Sequence, residues 1–521
     1  MNFSLYITPI DSDANNVELS LSSQKNTLKR TTSTSRIYLS FTDAMSVRES
    51  KDGKISLIAN KHDDASETLY NIIESESYEQ MEDLFWAVVI DTNNDVVRVI
   101  NDRFSSKEIY YLQINEAILF FTDYKISFSF VEKPIKINVS ALKMYLIDGY
   151  ISSPYTIIDG VNKLPYSSCA TIRHNCVSIQ QYFSFRKDLS RKRDTELCYN
   201  DAKFRFEKFV MQSIIRKMTS DKATVLLSSG VDSAYLTVAS KKIYNYVDAL
   251  TIGQNVGDDR YDEARDAKIV ADMLGVQQTI KTLNPDLIFD SIKYSIEIFP
   301  ELFGDTAQIA VYLMACNGDA SKDYICGEGA DSLFFTGSGN EYKRNKKELF
   351  VNKMFSAPVD NEHRPIQFDE YSYEWECVLQ GLVHKTTAVF EHFNLNVIFP
   401  YLDNSLIEFC MSLPECYLEH DKKKKRVLRD LLNEKINYDA LQLPKRGAGV
   451  PVYKRLKENH KNELARLLAR ELIARQGIFN VEVIAEMLNC FLNDCKYNDV
   501  KVSGLIWRLY LFQKWYERYI N

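Results

Sequence analysis

The chain has 521 residues, of which 45% are hydrophobic and 26% are charged, and its formal net charge is −7. A chain of this length is too long to fold around a single hydrophobic core, so we predict at least two domains. The negative net charge argues against a protein that binds nucleic acid independently of its sequence. No apolar run approaches the roughly 20 residues of a membrane-spanning helix, and the start lacks the pattern of a signal peptide, so we expect a cytoplasmic protein with no membrane or nucleic-acid partner.

Short β-type runs dominate the first part of the chain. "LFWAVVID" (Leu84–Asp91) and "DVVRVIND" (Asp95–Asp102) flank the turn-forming "TNN" and predict a hairpin. "VSALKMYLIDGY" predicts a helix, and residues 16–36, which are polar and rich in Ser and Thr, predict a loop. We therefore expect an α+β domain with antiparallel sheets over residues 1–190, followed by a long amphipathic helix near residues 199–218.

From Lys222 onward, strand-like runs alternate with helical patterns. "ATVLL", "VDALTIG" and "DYICGEGAD" end in Gly, Ser or Asp, and residues 261–275 have apolar positions at helical spacing with Gly275 as the closing residue. Strands that alternate with helices predict a parallel sheet, whose ligands bind beyond the carboxyl ends of its strands. We expect an α/β domain over residues 191–521 that is mostly helical after about residue 375.

The first strand of this domain ends in "LLSSGVDS" (Leu226–Ser233). Small hydroxyl residues and Gly followed at once by a helix present backbone N–H groups and the positive helix end to an anion. Asp232 repels a phosphate unless a cation lies between them, which suggests Mg²⁺. The stretch lacks the usual GxxxxGK[ST] pattern of a P-loop, and an ordinary strand–turn–helix corner remains the structural alternative.

A second strand tip, "YICGEGADSLFF" (Tyr324–Phe335), carries Glu328 and Asp331 between glycines. Two strand tips that each bear an Asp can hold one Mg²⁺ on a pyrophosphate from both sides. Glu328 is then free for proton transfer. A Gly-rich turn with solvated acids is the alternative for this stretch taken alone.

Taken together, these motifs resemble the asparagine synthetase family. "LLSSGVDS" resembles its SGGxDS pyrophosphate loop and "GEGADSLF" its GEGxDELF motif. The later segments "FPYLDNSLIEFCMSLP", "KRVLR" and "KRGAGVP" resemble PFLD…LP, KxxLR and KxGFGxP in the same order, and "NDRFSSKEIYYL" in the first half resembles RDRFGxKPLYY. The resemblance implies an Ntn-hydrolase-like sandwich over residues 1–190. It implies an adenine nucleotide α-hydrolase-like ATP-pyrophosphatase domain of the PP-loop type over residues 191–521.

The resemblance also implies a reaction and its residues. ATP would adenylate a substrate carboxylate with release of pyrophosphate, and an amine nitrogen would then form the amide and release AMP. Glu328 and Lys445 match the catalytic positions of the family, Lys445 as the cation that neutralises charge building on the reacting groups, and Asp232 and Asp331 match the Mg²⁺ ligands. The positions that would bind ATP are Leu226, Ser228, Ser229, Gly230, Asp232, Ser233, Ile252 and Gly327.

The chain departs from the family at the position of the glutaminase nucleophile. Glutamine-using members have Cys at position 2, whereas this sequence has Asn2, and its first cysteine is Cys169. A primary amide cannot replace a thiolate as nucleophile. We therefore expect a degenerate glutaminase domain, with ammonia or a substrate amine as the nitrogen source.

Three further departures concern the substrate. Ser332 replaces the Glu of GxDE, Ser229 replaces a loop glycine, and Ile398 stands where many members have Arg. Loss of that fixed charge puts free aspartate in doubt as the substrate. Asp305 and Thr306 are candidates for the lining of an acceptor pocket, with a core or loop role as the alternative.

Three functions follow as hypotheses. The first is an amidotransferase-like ligase acting on a small-molecule or peptide carboxylate. The second is an intramolecular cyclase that forms a lasso-peptide isopeptide bond or a β-lactam. Loss of the nucleophilic cysteine favours it, whereas Glu328 argues against it, because the β-lactam branches have Tyr there and lasso-peptide cyclases often have another residue. The third is a catalytically inactive nucleotide-binding scaffold. A homodimer or a partner biosynthetic enzyme is the expected assembly.

Overall fold

The computed structural model describes residues 2–9, 26–41, 46–49, 55–59, 85–183, 194, 196–253, 263–283, 285–334, 340–359, 375, 378–421, 423–441, 443, 450, 452–494 and 502–520. Contacts divide the chain into two compact units. Unit 1 comprises Met1–Leu142, Ile151–Asp188 and Tyr519–Asn521, and unit 2 comprises Lys143–Tyr150 and Leu189–Arg518. The expected domain bounds of 1–190 and 191–521 stay a prediction.

Unit 1 contains two six-stranded antiparallel sheets, in the orders β10-β8-β9-β1-β3-β2 and β12-β11-β7-β6-β5-β4. Their strands are β1 Phe3–Pro9, β2 Asn26–Thr31, β3 Ser35–Phe41, β4 Ser46–Glu49, β5 Ile55–Ala59, β6 Trp86–Asp91, β7 Val96–Asn101, β8 Tyr110–Ile114, β9 Ala117–Phe121, β10 Val161–Lys163, β11 Ser168–Arg173 and β12 Cys176–Gln181. The predicted hairpin is confirmed, with Trp86 opposite Asn101 and Asp91 opposite Val96.

One hydrophobic core joins the two sheets of unit 1. Alternate residues of β1 and β6 point into it, because successive side chains of a strand face opposite sides. Phe3 of the first sheet and Trp86 of the second are fully buried and their rings lie 4.5 Å apart. Val88 and Ile90 continue the inward row of β6. The antiparallel sandwich expected from the sequence is confirmed.

The prediction of a loop over residues 16–36 is wrong for part of that range. Residues 26–31 form β2, which pairs antiparallel with β3 at the edge of its sheet. Polar composition misled the prediction, since an edge strand exposes one whole face to water. Leu28 alone packs against the core, while Thr27 and Lys29 on either side of it are exposed. Residues 16–25 lie outside the described residues.

Unit 2 contains a five-stranded parallel sheet in the order β15-β14-β13-β16-β17. Its strands are β13 Lys222–Leu226, β14 Tyr246–Gly253, β15 Gln277–Thr282, β16 Asp323–Ile325 and β17 Asn396–Ile398, and a small ribbon adds β18 Glu419–His420 and β19 Lys423–Lys424. β13 and β16 pair directly, with Val225 next to Ile325. Their carboxyl ends therefore lie side by side, and the two quoted motifs follow those ends. The predicted parallel sheet is confirmed.

Most of the helices belong to unit 2, and the first α-helix belongs to unit 1. The α-helices are α1 Ser127–Phe130, α2 Val139–Asp148, α3 Tyr199–Lys217, α4 Val231–Ser240, α5 Ala264–Leu274, α6 Pro285–Ile298, α7 Ala307–Ala315, α8 Ala330–Leu333, α9 Asn340–Asn352, α10 His384–His392, α11 Asn404–Ser412, α12 Glu415–Leu418, α13 Arg426–Asn433, α14 Val452–Asn459, α15 Lys461–Leu467, α16 Arg470–Gln476, α17 Val481–Leu492 and α18 Val502–Tyr519. Gly275 ends α5 at φ 61, as predicted. Within the described ranges, no helix combines the length and apolarity needed to cross a membrane.

Candidate active site

The first strand tip is a tight loop between β13 and α4. The Ser228 backbone N–H donates to Ser233 Oγ at 3.0 Å, and the Gly230 N–H donates to Ser228 Oγ at 3.1 Å. These bonds close the loop on the first turn of the helix, so two of the three predicted serines hold the loop in shape. Ser229 is 3% exposed, which places the residue that replaces a glycine inside the protein.

Helix α4 points its amino terminus at this loop. The first N–H groups of a helix have no partner within the helix and carry the positive end of its dipole. Gly230 is the N-cap residue and Asp232 lies in the first turn. The helix end therefore carries a positive potential that favours an anion, with one carboxylate in its first turn.

The second strand tip lies against the first. A Cβ added to Gly327 would sit 3.6 Å from the Ser233 backbone nitrogen and 3.7 Å from Asp232 Cβ. Gly329 has φ +96, and a Cβ there would meet Leu402 Cδ2 at 2.5 Å, so this position requires glycine. The structure thus brings together the two motifs that the sequence predicted at one edge of the sheet.

Lys425 joins the two predicted metal ligands. Its Nζ lies 2.8 and 2.6 Å from the two carboxylate oxygens of Asp232 and 2.8 Å from Asp331 Oδ1. Burial alone would lower the pKa of Lys425, but the two carboxylates outweigh it and raise the pKa. We call Asp232, Asp331 and Lys425 the lysine bridge. The sequence placed Lys425 only in a resembling motif and assigned it no role.

The two carboxylates of the lysine bridge have the chemistry of Mg²⁺ ligands. Asp232 and Asp331 offer hard oxygen donors that already hold one shared cation, and their side chains remain 23% and 54% exposed. Among the described residues, no group of three or more His, Cys, Asp or Glu side chains could hold a metal ion. Mg²⁺ on a nucleotide is usually held by one or two carboxylates, with phosphates and water completing its shell. The residues present fit such an ion.

Glu328 belongs to a second charged network beside the tips. Its Oε2 accepts a hydrogen bond of 2.9 Å from Thr386 Oγ1, and its Oε1 lies 3.3 Å from Lys385 Nζ. The same ammonium lies 3.2 Å from Asp305 Oδ2. Lys385 is 3% exposed, so its charge is balanced inside the protein by two carboxylates.

The two carboxylates of this network differ in pKa. Burial raises the pKa of Glu328, and Lys385 offsets only part of that shift. Burial acts in the same direction on Asp305, but there the Lys385 ammonium prevails and the pKa lies below its usual value. Glu328 is therefore the better proton acceptor of the two. The sequence named both acids but missed Lys385 and Thr386; a lysine inside the apolar run "GLVHKTTAVF" is the signal that could have found the pair.

Two tyrosines hold the backbone of the first loop from outside the motif. Tyr438 Oη donates to the Ser229 carbonyl at 2.6 Å, and Tyr401 Oη donates to the Asp232 carbonyl at 2.9 Å. Burial raises the pKa of Tyr438 to about 12, so it stays a protonated donor. Tyr401 lies within the quoted segment "FPYLDNSLIEFCMSLP", but the sequence assigned it no role, and no quoted motif contains Tyr438.

The remaining predicted residues are placed as follows. Leu226 ends β13 half-buried, and Ile252 lies near the end of the neighbouring β14, 8% exposed. Ile398, in the position of the family arginine, is 1% exposed at the end of β17. Ser332 is likewise buried. Lys445 lies outside the described residues.

Asn2, the residue at the position of the glutaminase nucleophile, lies at the start of the first sheet of unit 1. Asn2 precedes β1, and its Oδ1 accepts a hydrogen bond of 3.4 Å from Thr122 Oγ1. Cys169, the first cysteine of the sequence, is buried on β11 of the other sheet, and Cys176 is exposed on β12.

Comparison with known proteins adds two family matches. The Asparagine synthase family model matches residues 205–388 and 373–517, and the Glutamine amidotransferase domain model matches residues 63–183. The two strand tips, the lysine bridge and the Glu328 network all lie within the first of these models.

Similar proteins carry related names. "Asparagine synthetase [glutamine-hydrolyzing] 1" of Bacillus subtilis (strain 168) is 25% identical over 282 residues, covering 53% of this chain and 42% of the relative. "Putative asparagine synthetase [glutamine-hydrolyzing] 1" of Methanocaldococcus jannaschii is 21% identical over 355 residues, covering 68% of this chain and 60% of the relative. The chain thus spans between two fifths and three fifths of the length of these curated relatives.

A solved structure is also similar. The NH3-dependent NAD synthetase from Campylobacter jejuni is 14% identical, covering 58% of this chain and 97% of that chain at a TM-score of 0.23. Because this TM-score is low, we draw no conclusion about the present chain from it.

Proposed function

The chain belongs to the asparagine synthase family, and from that premise we propose that it is an ATP-dependent amide-forming ligase. The proposed reaction joins a substrate carboxylate to ammonia or an amine and converts ATP to AMP and pyrophosphate. One observation carries the proposal: at the amino-terminal end of α4, the carboxylates of Asp232 and Asp331 share a single cation, the ammonium of Lys425. Glu328 lies on the same strand tip as Asp331.

In the first half-reaction, a carboxylate oxygen of the substrate attacks the α-phosphorus of ATP. The bond from that phosphorus to the bridging oxygen breaks, and pyrophosphate leaves with the electron pair. The positive amino-terminal end of α4 stabilises the charge on the leaving group. Asp232 and Asp331 would hold Mg²⁺, which neutralises phosphate charge when bound.

In the second half-reaction, the nitrogen attacks the carbonyl carbon of the acyl-adenylate. The bond between that carbon and the AMP oxygen breaks, and the nitrogen must lose a proton. Glu328 accepts it, since its raised pKa makes it the stronger base of the acids around Lys385. Thr386 and Lys385 fix the orientation of its carboxylate. Lys445 is proposed as a further cation at the reacting groups.

We propose that the nitrogen is free ammonia or a substrate amine. The first 168 residues contain no cysteine, and the amide of Asn2 lacks the nucleophilicity of a thiolate. Among the acids near Glu328, Asp305 has a side chain that is 38% exposed, so it can contact a protonated amine on a substrate. The missing thiol also supports the second candidate, an intramolecular cyclase in which one peptide supplies both groups.

Pyrophosphate release tests the proposal. The protein is incubated with ATP, Mg²⁺ and a panel of amino-acid and peptide carboxylates, each with and without ammonium. Release that depends on both a carboxylate and ammonium supports the amidotransferase-like ligase, and release that needs a peptide but no ammonium supports the cyclase. Release that needs no carboxylate would refute both. Asp331→Asn is the internal control, with turnover reduced at least about 100-fold and the circular dichroism spectrum unchanged.

A further inference from the structure

Lys425 is the N-cap residue of a helix. It precedes α13, adopts a left-handed backbone conformation at φ 65, and accepts the first helical hydrogen bond from Arg429 N at 2.9 Å. Helix α13 packs on α4, the helix that carries Asp232. The side chain of Lys425 is 7% exposed. Its ammonium is therefore fixed relative to Asp232 by the packing of two helices.

The lysine bridge places this ammonium between two carboxylates. An ammonium has three N–H groups, and three carboxylate oxygens of Asp232 and Asp331 lie within 2.8 Å of Lys425 Nζ. In this arrangement the ammonium of Lys425 is engaged by both carboxylates. The same arrangement fills the position between the carboxylates where a divalent cation would bind.

From this geometry we propose that Lys425 is a resident counter-ion that admits the metal only together with the nucleotide. The inference rests on the proposed function, because it takes a metal–nucleotide complex as the ligand of this site. A free divalent cation would have to displace the ammonium from both carboxylates, and separating a charged group that is only 7% exposed from its partners is costly. A nucleotide supplies phosphate oxygens, so that Lys425 exchanges its carboxylate partners for phosphate partners as the metal arrives.

The lysine bridge also keeps the site assembled while it is empty of nucleotide. Without Lys425, the Asp232 and Asp331 carboxylates would face each other with no cation between them, and like charges at short range repel. Lys425 is thus a positioning residue for two metal ligands that are 99 residues apart in the sequence. It makes free metal a poor ligand and the metal–nucleotide complex a good one.

Mn²⁺ binding to the nucleotide-free full chain tests the inference. The probe is Mn²⁺ itself, followed by the electron paramagnetic resonance signal of the free ion. We expect weak binding to the wild-type protein and at least about tenfold tighter binding to Lys425→Met, in which the two carboxylates lack a counter-ion. Lys425→Arg keeps a cation and should bind Mn²⁺ as weakly as the wild type. Lys435→Met, which removes an exposed lysine nearby, is the matched control and should change nothing.

Two results would overturn the inference. One is equal Mn²⁺ affinity in wild type and folded Lys425→Met; the other is a gain in Lys425→Met that persists when Asp331→Asn is added. If Lys425→Met does not fold, the wild type decides. After subtraction of the Mn²⁺ that a non-hydrolysable ATP analogue chelates without protein, Mn²⁺ must bind the protein much more tightly with the analogue than without it, and equal binding refutes the inference. The measurement needs no turnover. Confirmed Mn²⁺ exclusion without pyrophosphate release would therefore uphold the lysine bridge and reject the ligase.

Discussion

Replacing Lys385 by Met removes the cation that Asp305 and Glu328 share. The side chain of Lys385 is 4% exposed and that of Glu328 is 19% exposed, so the variant leaves a nearly buried carboxylate without its ammonium. Removing one partner of a buried ion pair costs roughly 3–5 kcal/mol. Asp305 retains 38% exposure and solvent screens its charge. We therefore expect a loss of about 3 kcal/mol in the free energy of unfolding of unit 2 at neutral pH.

The loss depends on pH with a defined sign. In the wild type, the pKa of Asp305 lies below its usual value, so its contribution is present above the unfolded pKa and fades as pH falls. In Lys385→Met, the already raised pKa of Glu328 rises further, and the cost of its charge disappears when acid protonates it. Both effects make the difference between variant and wild type smaller at low pH than at pH about 8.

Urea unfolding followed by tryptophan fluorescence measures this difference. Three of the four tryptophans, Trp375, Trp507 and Trp515, lie in unit 2 and report on it. The double variant Lys385→Met/Glu328→Gln should recover part of the loss, because it removes the unpaired carboxylate. A loss below about 1 kcal/mol, or one that is the same at pH about 5 and about 8, would refute this account of the network.

Two substitutions with matched controls test the loops. Gly329→Ala should lower the free energy of unfolding by about 2–4 kcal/mol, because φ is +96 and a leucine methyl group lies 2.5 Å from the new Cβ. The control Gly477→Ala, at φ +67 with no atom within 4 Å of the new Cβ, should lower it by only about 1 kcal/mol. Equal losses in the two variants would contradict the steric argument. Tyr438→Phe removes the 2.6 Å bond to the carbonyl of Ser229 and should weaken Mg²⁺–ATP binding about fivefold in calorimetry. Tyr417→Phe, which loses a 2.8 Å bond to the carbonyl of Leu197, should leave that affinity unchanged, and a similar effect of both would discard the bracing role.

The meeting of the two strand tips was predictable from the sequence because of a rule of topology. Parallel strands present their carboxyl ends at one edge, so motifs that follow two such strands converge if the strands are neighbours. The pairing of β13 with β16 made Asp232 and Asp331 neighbours in space. Strand identity and the position of each motif placed both tips at the same edge of the sheet, and the structure showed that the two strands are neighbours.

The cations of the site were not predictable in the same way. Lys425 reaches Asp232 across 193 positions of sequence, and that contact depends on how α13 packs against α4. Lys385 reaches Asp305 across 80 positions. Periodicity and motifs report local structure, whereas both contacts depend on long-range packing. The sequence did carry one hint in each case: a lysine in a resembling motif, and a lysine inside an apolar run.

The failure over residues 26–31 has a different physical origin. The sequence of β2 is mostly polar, and a polar run was interpreted as a loop. Its hydrogen bonds to β3 supply the strand pairing, and Leu28 supplies the inward contact. An edge strand needs few apolar residues because one side of it faces water, so composition underestimates such strands.

The central claim is that ATP activates a carboxylate by forming an acyl-adenylate. Transfer of isotope from a carboxylate labelled with ¹⁸O measures this directly, with the products examined by mass spectrometry. The account predicts AMP that carries one ¹⁸O atom for each amide formed, together with unlabelled pyrophosphate. Formation of ADP and phosphate, or ¹⁸O in phosphate instead of AMP, would contradict it.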